Sequence, residues 1–308
     1  MSRDDARLAT TLCGISLRNP VLAASGTFAY GVEFERLVDL NALGGLVVKG
    51  LSRQPMDGNP PPRLWETHAG MLNSVGLQNI GVQAFVRDKL PRLAQFRTAV
   101  IANIFGYSTE DYVEVVRVLE SAAGVAAYEL NVSCPNTRHG GIYFSSDPAL
   151  LAEVVEAVKR VARRPLIVKL SPNVAAIEPL ARAAESSGAD AISLVNTFVA
   201  LAVDARARRP RLGAGFGGLS GPAIKPIALR LVYQAAQAVR IPVIGLGGIA
   251  TGEDAAEFLV AGASAVQVGT ATFWDPRRPL QVARELGQFL HAEKIANVRE
   301  IVRTLKWN

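Results

Sequence analysis

Short apolar runs recur along this chain, each followed by a stretch with helical patterning. The runs cover residues 21–24, 46–48, 100–102, 128–132, 166–168, 192–195, 243–246 and 265–268. They are largely apolar and do not alternate strictly, which is how strands buried on both faces of a parallel sheet read. The stretches between them carry helix start and stop signals. Ser108 precedes Asp111 and opens a pattern of Tyr112, Val115, Val116 and Leu119, with Gly124 beyond its end. Asp147-Pro148 opens the pattern of Leu151, Val154, Val155 and Val158, and Thr251 with Asp254 opens that of Ala255, Phe258 and Leu259, which stops at Gly262. These are N-caps, a proline in the first turn and a C-terminal glycine. Alternation repeated eight times predicts an α/β fold, a closed (β/α)8 (TIM) barrel forming a single domain over 1–308. Residues 8–12 and 15–17 flank Cys13-Gly14 and predict an N-terminal hairpin that plugs the lower end of the barrel. Two βα connections, 50–80 and 196–222, are too long for a plain barrel and are expected to be binding loops or lids. A third stretch, 135–146, holds Gly140-Gly141 and has the composition of a hinge.

Barrels of this kind keep their sites at the C-terminal ends of the strands. Those ends carry, in order, Ser25, Lys49, Asn103, Asn131, Lys169, Asn196, Gly247 and Gly269. Each alone would suit a solvated strand end. Together, three asparagines and two lysines on one rim exceed what a core tolerates, because buried polar groups cost free energy unless partnered. Gly245-Leu246-Gly247-Gly248-Ile249 and Val268-Gly269-Thr270 end the last two strands, where glycine lets backbone N–H groups approach a phosphate and a helix N-terminus adds a favourable field. Gly221 in the preceding loop joins them. Lys49 and Lys169 suit an anion, a Schiff base or a reduced cofactor that needs a cation nearby, a flavin mononucleotide among them. Cys134 follows the fourth strand in a polar loop, where a thiolate acts as nucleophile or general base. Read alone, it would be a small inert hydrophobe, and Cys13 in the hairpin is read that way.

Composition narrows the classes. The chain has 308 residues, of which 49% are hydrophobic, enough for a large core, and no apolar run reaches the roughly 18–20 residues needed to span a bilayer. The first residues mix charges of both signs and lack the apolar core of a secretory signal, so a cytoplasmic location is expected. The formal charge of +6 invites a nucleic-acid reading, but the basic residues are dispersed. Their densest cluster, Arg206, Arg208, Arg209 and Arg211, has no interleaved aromatics and reads as a solvated loop. Two cysteines are too few for a zinc site or an iron–sulfur cluster, and His68, His139 and His291 have no metal-ligand spacing, so no metal is expected.

The segment Asn131-Val132-Ser133-Cys134-Pro135-Asn136 resembles the active-site segment of class 1 dihydroorotate dehydrogenases. So do Asn19-Pro20-Val21, Ala24-Ser25-Gly26-Thr27, Val48-Lys49-Gly50, Gly58-Asn59-Pro60 and Asn73-Ser74-Val75-Gly76-Leu77-Gln78-Asn79, and the likeness runs on to Val268-Gly269-Thr270. The resemblance implies an FMN-containing barrel that oxidises dihydroorotate to orotate in pyrimidine synthesis. It makes Cys134 the base for the C5 proton while C6 delivers hydride to the flavin. It assigns substrate contacts to Lys49, Asn73, Ser74, Val75, Gly76, Leu77, Asn131, Asn196 and Thr197. It assigns FMN contacts to Ser25, Lys49, Gly50, Asn103, Asn131, Lys169, Val195, Gly221, Gly247, Gly248, Gly269 and Thr270, and makes 135–146 a lid. A cysteine base without a membrane-associating extension resembles class 1, and Leu77-Gln78-Asn79 resembles class 1B. That class implies a homodimer joined by a partner subunit with FAD and a 2Fe–2S cluster, a heterotetramer passing electrons to NAD. Two places depart from the family pattern: Met56, where arginine is common, and Phe144-Ser145-Ser146-Asp147, where the lid ending is usually richer in glycine. Other readings fit part of the pattern: a related FMN barrel acting on another dihydropyrimidine, a tRNA-modifying flavin barrel, and a non-enzymatic phosphate-binding scaffold.

Overall fold

The fold was taken from a computed structural model that describes residues 5–132 and 147–307. Cys134 and the expected hinge and lid at 135–146 lie outside the described residues.

Eight parallel strands close into a barrel. In chain order they are β3 (Val21–Ala23), β4 (Gly45–Val47), β7 (Ala99–Ile104), β8 (Ala127–Asn131), β9 (Leu166–Lys169), β10 (Ala191–Leu194), β15 (Val243–Leu246) and β16 (Ala265–Val268). Each pairs with its neighbour in sequence, and β16 closes the ring on β3 through Val266↔Val21 and Val268↔Ala23. Every apolar run predicted as a strand is one, within a residue or two at its ends.

The helices on the outside are amphipathic, and their caps are those the sequence encodes. Helix α3 (Thr109–Glu120) is capped by Ser108, α4 (Pro148–Lys159) by Asp147, and α7 (Gly252–Ala261) by a reciprocal Thr251–Asp254 capping box, with Gly262 at its C-terminus. Between β4 and β7 lies the short pair α1 (Val82–Ala84) and α2 (Leu90–Leu93), joined through a π-helical turn. Helices α5 (Glu178–Ser186), α6 (Lys225–Ala238) and α8 (Arg278–Ala292) complete the layer. One expected helix does not form. After β3 the chain makes two 3-10 turns, Val32–Phe34 and Leu40–Ala42, because Gly31 takes φ +89° and Phe28 stacks on Phe34 at 4.5 Å, folding the segment back on itself.

The lower end is plugged. Strands β1 (Thr10–Leu12) and β2 (Ile15–Leu17) form the antiparallel hairpin. Leu12 and Leu17 pack into one apolar layer with Leu22, Val47, Ile101, Ala127, Ile167, Ala191, Ile244 and Ala265 from the barrel strands. The two long connections are not independent lids. Strands β5 (Leu64–Thr67) and β6 (Gly70–Asn73) from the first, and β11 (Phe198–Ala200) and β14 (Gly217–Ser220) from the second, pair as one antiparallel sheet in the order β11-β14-β6-β5. The register Gly218↔Asn73 and Phe198↔Leu219 joins residues far apart in sequence. The second connection also carries a small β12 (Val203–Asp204) and β13 (Arg209–Pro210) hairpin, which holds Arg209 in the open. Among the described residues, no helix is long and apolar enough to cross a membrane.

Candidate active site

Side chains of a strand alternate between the two faces of a sheet, so in a closed barrel every second residue points inward. Two residues above the apolar floor, the inward positions become polar on six of the eight strands, with Ala24 and Leu246 on the other two. Val47 is followed by Lys49, Ile101 by Asn103, Ala127 by Glu129, Ile167 by Lys169, Ala191 by Ser193 and Ala265 by Gln267. The next inward step brings Asn131, Val195 and Gly269 to the mouth, and all three border a cleft of about 1260 Å³, counted out to its open rim.

Glu129 is the centre of the polar layer and is fully buried. Its Oε1 accepts from Asn103 Nδ2 at 2.7 Å and from Ser25 Oγ at 3.4 Å, and its Oε2 accepts from Gln267 Nε2 at 2.6 Å and Ser193 Oγ at 3.0 Å. The Lys169 ammonium lies 3.7 Å from Oε1 and donates to Ser25 Oγ at 3.3 Å. A set of donors this complete fits an ionised carboxylate, and the buried lysine gains a counter-charge. Of this network, Ser25, Asn103 and Lys169 also border the cleft, alongside Lys49 and Gly50. A side chain on Gly50 would sit 2.9 Å from Asn103 Oδ1, so the glycine leaves the amide room.

One end of the cleft is made of glycine-rich backbone. Gly221, Gly247 and Gly248 have φ of +98°, +124° and +86°, conformations that favour glycine. With Gly269 and Thr270 they border the cleft, and Thr270 Oγ1 donates to Ser220 Oγ at 2.8 Å. A Cβ on Gly248 would lie 3.0 Å from the Gly221 carbonyl oxygen, so these two loops meet at backbone contact. The helix N-terminus expected to assist here is already occupied. The N–H groups of Ala250 and Thr251 donate to Asp254 Oδ2, Gly252 N–H donates to Glu285 Oε2, and Asp254 N–H donates to Thr251 Oγ1. An anion at this end would therefore face the backbone of the glycine loops rather than the first turn of α7.

The opposite wall comes from the insertion sheet and the ends of β8 and β10. Asn73, Val75, Gly76, Leu77, Asn131, Asn196 and Thr197 all border the cleft. Asn73 Nδ2 donates to the Gly218 carbonyl at 3.3 Å, Asn196 Nδ2 approaches Asn131 Oδ1 at 3.5 Å, and Asn196 Oδ1 accepts from Thr197 N–H at 2.8 Å. Gly218 is obligatory beside Thr197, whose hydroxyl occupies the space a Cβ would need. Carboxamides on several sides present both donors and acceptors, which suits a flat heterocycle with alternating N–H and carbonyl groups.

Ser74 departs from the expectation: it is fully buried, does not border the cleft, and its Oγ has no hydrogen-bond partner among the described residues. Its backbone is the working part, with N–H donated to the Arg63 carbonyl and its own carbonyl accepting from Asn59 Nδ2. Every other described candidate borders the one cleft. Sequence reasoning passed over Glu129, Ser193 and Gln267. Their signal is present, since each is a polar residue inside an otherwise apolar strand. Phe273 and Trp274 were also missed; they stand half-exposed at the mouth, 50% and 59% accessible. Among the described residues, no group of His, Cys, Asp and Glu side chains is placed to hold a metal ion.

The sequence pattern of the dihydroorotate dehydrogenase family matches residues 7–290. A protein of Solibacter usitatus, named provisionally as dihydroorotate dehydrogenase A (fumarate), is 79% identical over 98% of this chain and 99% of its own length. The catalytic subunit of dihydroorotate dehydrogenase B (NAD(+)) of Citrifermentans bemidjiense is 51% identical over 99% of this chain and 100% of its own. The corresponding subunit of Thermodesulfovibrio yellowstonii is 51% identical over 95% of this chain and 96% of its own. With a match spanning nearly the whole barrel and its cleft, this chain belongs to the dihydroorotate dehydrogenase family.

Proposed function

We propose that the cleft oxidises dihydroorotate to orotate on a bound FMN, within a single catalytic domain. The observation that carries this reading is the joining of three features in one cleft: a glycine-lined end, a floor with a buried ammonium, and a carboxamide wall. The donor set fits FMN. Gly221, Gly247, Gly248, Gly269 and Thr270 would hold its phosphate, where alanine at Gly248 would fill the space between the loops. Ser25, Gly50, Asn103, Lys169 and Val195 would hold the flavin ring, with Lys169 facing the charge that the ring gains on reduction. When bound, FMN supplies the acceptor for the electron pair that leaves C6 of the substrate as hydride.

The remaining work falls to the chain. Asn73, Asn131, Asn196 and Thr197, with the backbone of 75–77, would orient the pyrimidine and its carboxylate, and Lys49 would lie between the two ligands. Cys134, assigned from its sequence segment, takes the C5 proton as a thiolate base. The C5–H bond electrons then form the C5=C6 double bond as hydride departs, so one proton and one hydride account for the two hydrogens lost. The test is anaerobic mixing of flavin-loaded protein with dihydroorotate. Bleaching of the yellow absorbance is expected, and a loaded protein that stays yellow overturns the substrate. Cys134→Ala should keep FMN and lose most of the reduction rate near neutral pH; a wild-type rate would remove Cys134 as the base.

For the electron acceptor we propose NAD, reached through a partner subunit carrying FAD and a 2Fe–2S cluster, with the catalytic chain as a homodimer. This reading is supported by Leu77-Gln78-Asn79 and by the relatives of about 51% identity named as NAD(+) catalytic subunits. With two cysteines in the chain, the cluster must come from the partner. Fumarate is the second reading, favoured by the name of the relative at 79% identity. Rapid orotate formation with fumarate by the purified chain alone would establish fumarate. Co-purification of an iron–sulfur flavoprotein that confers NAD reduction would establish NAD.

A further inference from the structure

We infer that Glu129 is a positioning residue that sets the charge of the cleft floor: it holds the Lys169 ammonium, offsets part of its charge, and aims Asn103 and Ser25 at the bound ring. The inference rests on the FMN reading above. Glu129 does not border the cleft, so it acts through the groups that do. Its carboxylate gathers side chains that follow or belong to β3, β7, β9, β10 and β16, and Ser25, Asn103 and Lys169 among them reach the cleft. Lys169 donates to Ser25 and Ser25 donates to Glu129, so the three groups form a closed triangle whose geometry Glu129 fixes from below. A fully buried anion 3.7 Å from the ammonium is screened little by solvent, so its charge is felt across the floor.

The network also supplies its own isosteric probe. Gln267 Oε1 is buried and has no hydrogen-bond partner among the described residues, while Gln267 Nε2 donates to Glu129. In Glu129→Gln, a rotation of the Gln267 amide turns that oxygen toward the new carboxamide N–H. The other carboxamide atom, an oxygen, still accepts from Asn103 and Ser25. The substitution therefore removes the charge and keeps the Gln267, Asn103 and Ser25 contacts, while Ser193 Oγ changes from donor to acceptor of the second amide N–H.

The experiment measures the flavin midpoint potential of FMN-loaded protein by equilibrium reduction with a reference dye, with the melting temperature of each variant as a check on folding. In Glu129→Gln the Lys169 charge is no longer offset, so the reduced form should gain at least tenfold over the oxidised form, about 30 mV more positive for a two-electron couple. Ser193→Ala removes a donor from the oxygen facing away from Lys169, leaving the carboxylate less compensated, and should move the equilibrium about threefold the other way. The opposite signs distinguish a charge role from a loss of packing, which would lower both melting temperatures and leave both potentials in place. If Glu129→Gln does not fold, the sign of the Ser193→Ala shift decides. Variants that load FMN with wild-type potentials, or that shift with the reverse signs, overturn the inference alone. A wild-type protein that takes up no FMN overturns the cofactor reading and this inference with it.

Discussion

Replacing Gly248 by alanine should damage this protein in a way that replacing Gly215 should not, although their backbones are nearly alike. Gly248 has φ +86° and Gly215 φ +82°, so alanine bears a similar conformational penalty at each, about 1 kcal/mol. Their surroundings differ. A Cβ at Gly215 meets nothing within 4 Å, whereas at Gly248 it would lie 2.7 Å from Lys225 Cβ, 3.0 Å from Lys225 Cα and 3.0 Å from the Gly221 carbonyl oxygen. None of these atoms is the free end of a side chain, so relief requires the loop after β15 or the start of α6 to move. Overpacking of this kind costs about 2 kcal/mol more. The expected losses are about 3 kcal/mol for Gly248→Ala and about 1 kcal/mol for Gly215→Ala. At roughly 2 °C per kcal/mol for a chain of this size, calorimetry of the flavin-free proteins should show drops of about 6 °C and about 2 °C. Because the displaced loop borders the cleft, Gly248→Ala should also weaken FMN binding, followed by fluorescence quenching, by at least tenfold, and Gly215→Ala should leave it unchanged. Equal melting temperatures for the two variants would refute the crowding argument. Normal FMN affinity in Gly248→Ala would refute the role of that loop in the site.

Further expectations concern the plug, one carboxylate and one thiol. Leu17→Ala removes a buried side chain from the floor of the barrel and should cost about 2–5 kcal/mol in urea unfolding; a loss under about 1 kcal/mol would mean that the hairpin contributes little to the core. For Asp254, burial raises the carboxyl pKa, but the Lys225 ammonium and the Ala250 and Thr251 N–H groups outweigh it and hold the carboxyl below its ordinary range. A lowered folded value stabilises above the unfolded value of about 3.9 and is lost as pH falls through the folded one. Asp254→Asn should therefore narrow the stability difference between pH 7 and pH 3, and an unchanged difference would exclude Asp254 from acid unfolding. Burial, reinforced by the Asp190 charge, pushes the Cys13 thiol up to about 11. In a Cys134→Ala background, alkylation of folded protein at pH 8 should then run about a hundredfold slower than for an ordinary thiol, rising until the pH passes 11, and a rate like that of free cysteine would contradict the burial of Cys13.

The barrel, its capped helices and most of the cleft lining are legible in the residue pattern. Strands buried on both faces must be apolar along their length, and a cap such as Thr251 with Asp254 acts within one turn, so both are written locally. The strand-end residues could be read the same way, because a barrel gathers the ends of its strands at one rim whatever lies between them. The rest depends on contacts between segments far apart in the chain. The pairing of β6 with β14 depends on two insertions meeting across the mouth, and neither is patterned to show its partner. The closure of the N-terminus of α7 by Glu285 depends on α8 lying beside it. The role of Glu129 depends on inward parity around a closed ring: in sequence it is one acidic residue in an apolar strand. Only closure brings Ser25, Asn103, Lys169, Ser193 and Gln267 to a single carboxylate, since a buried charge requires partners that no one strand can supply.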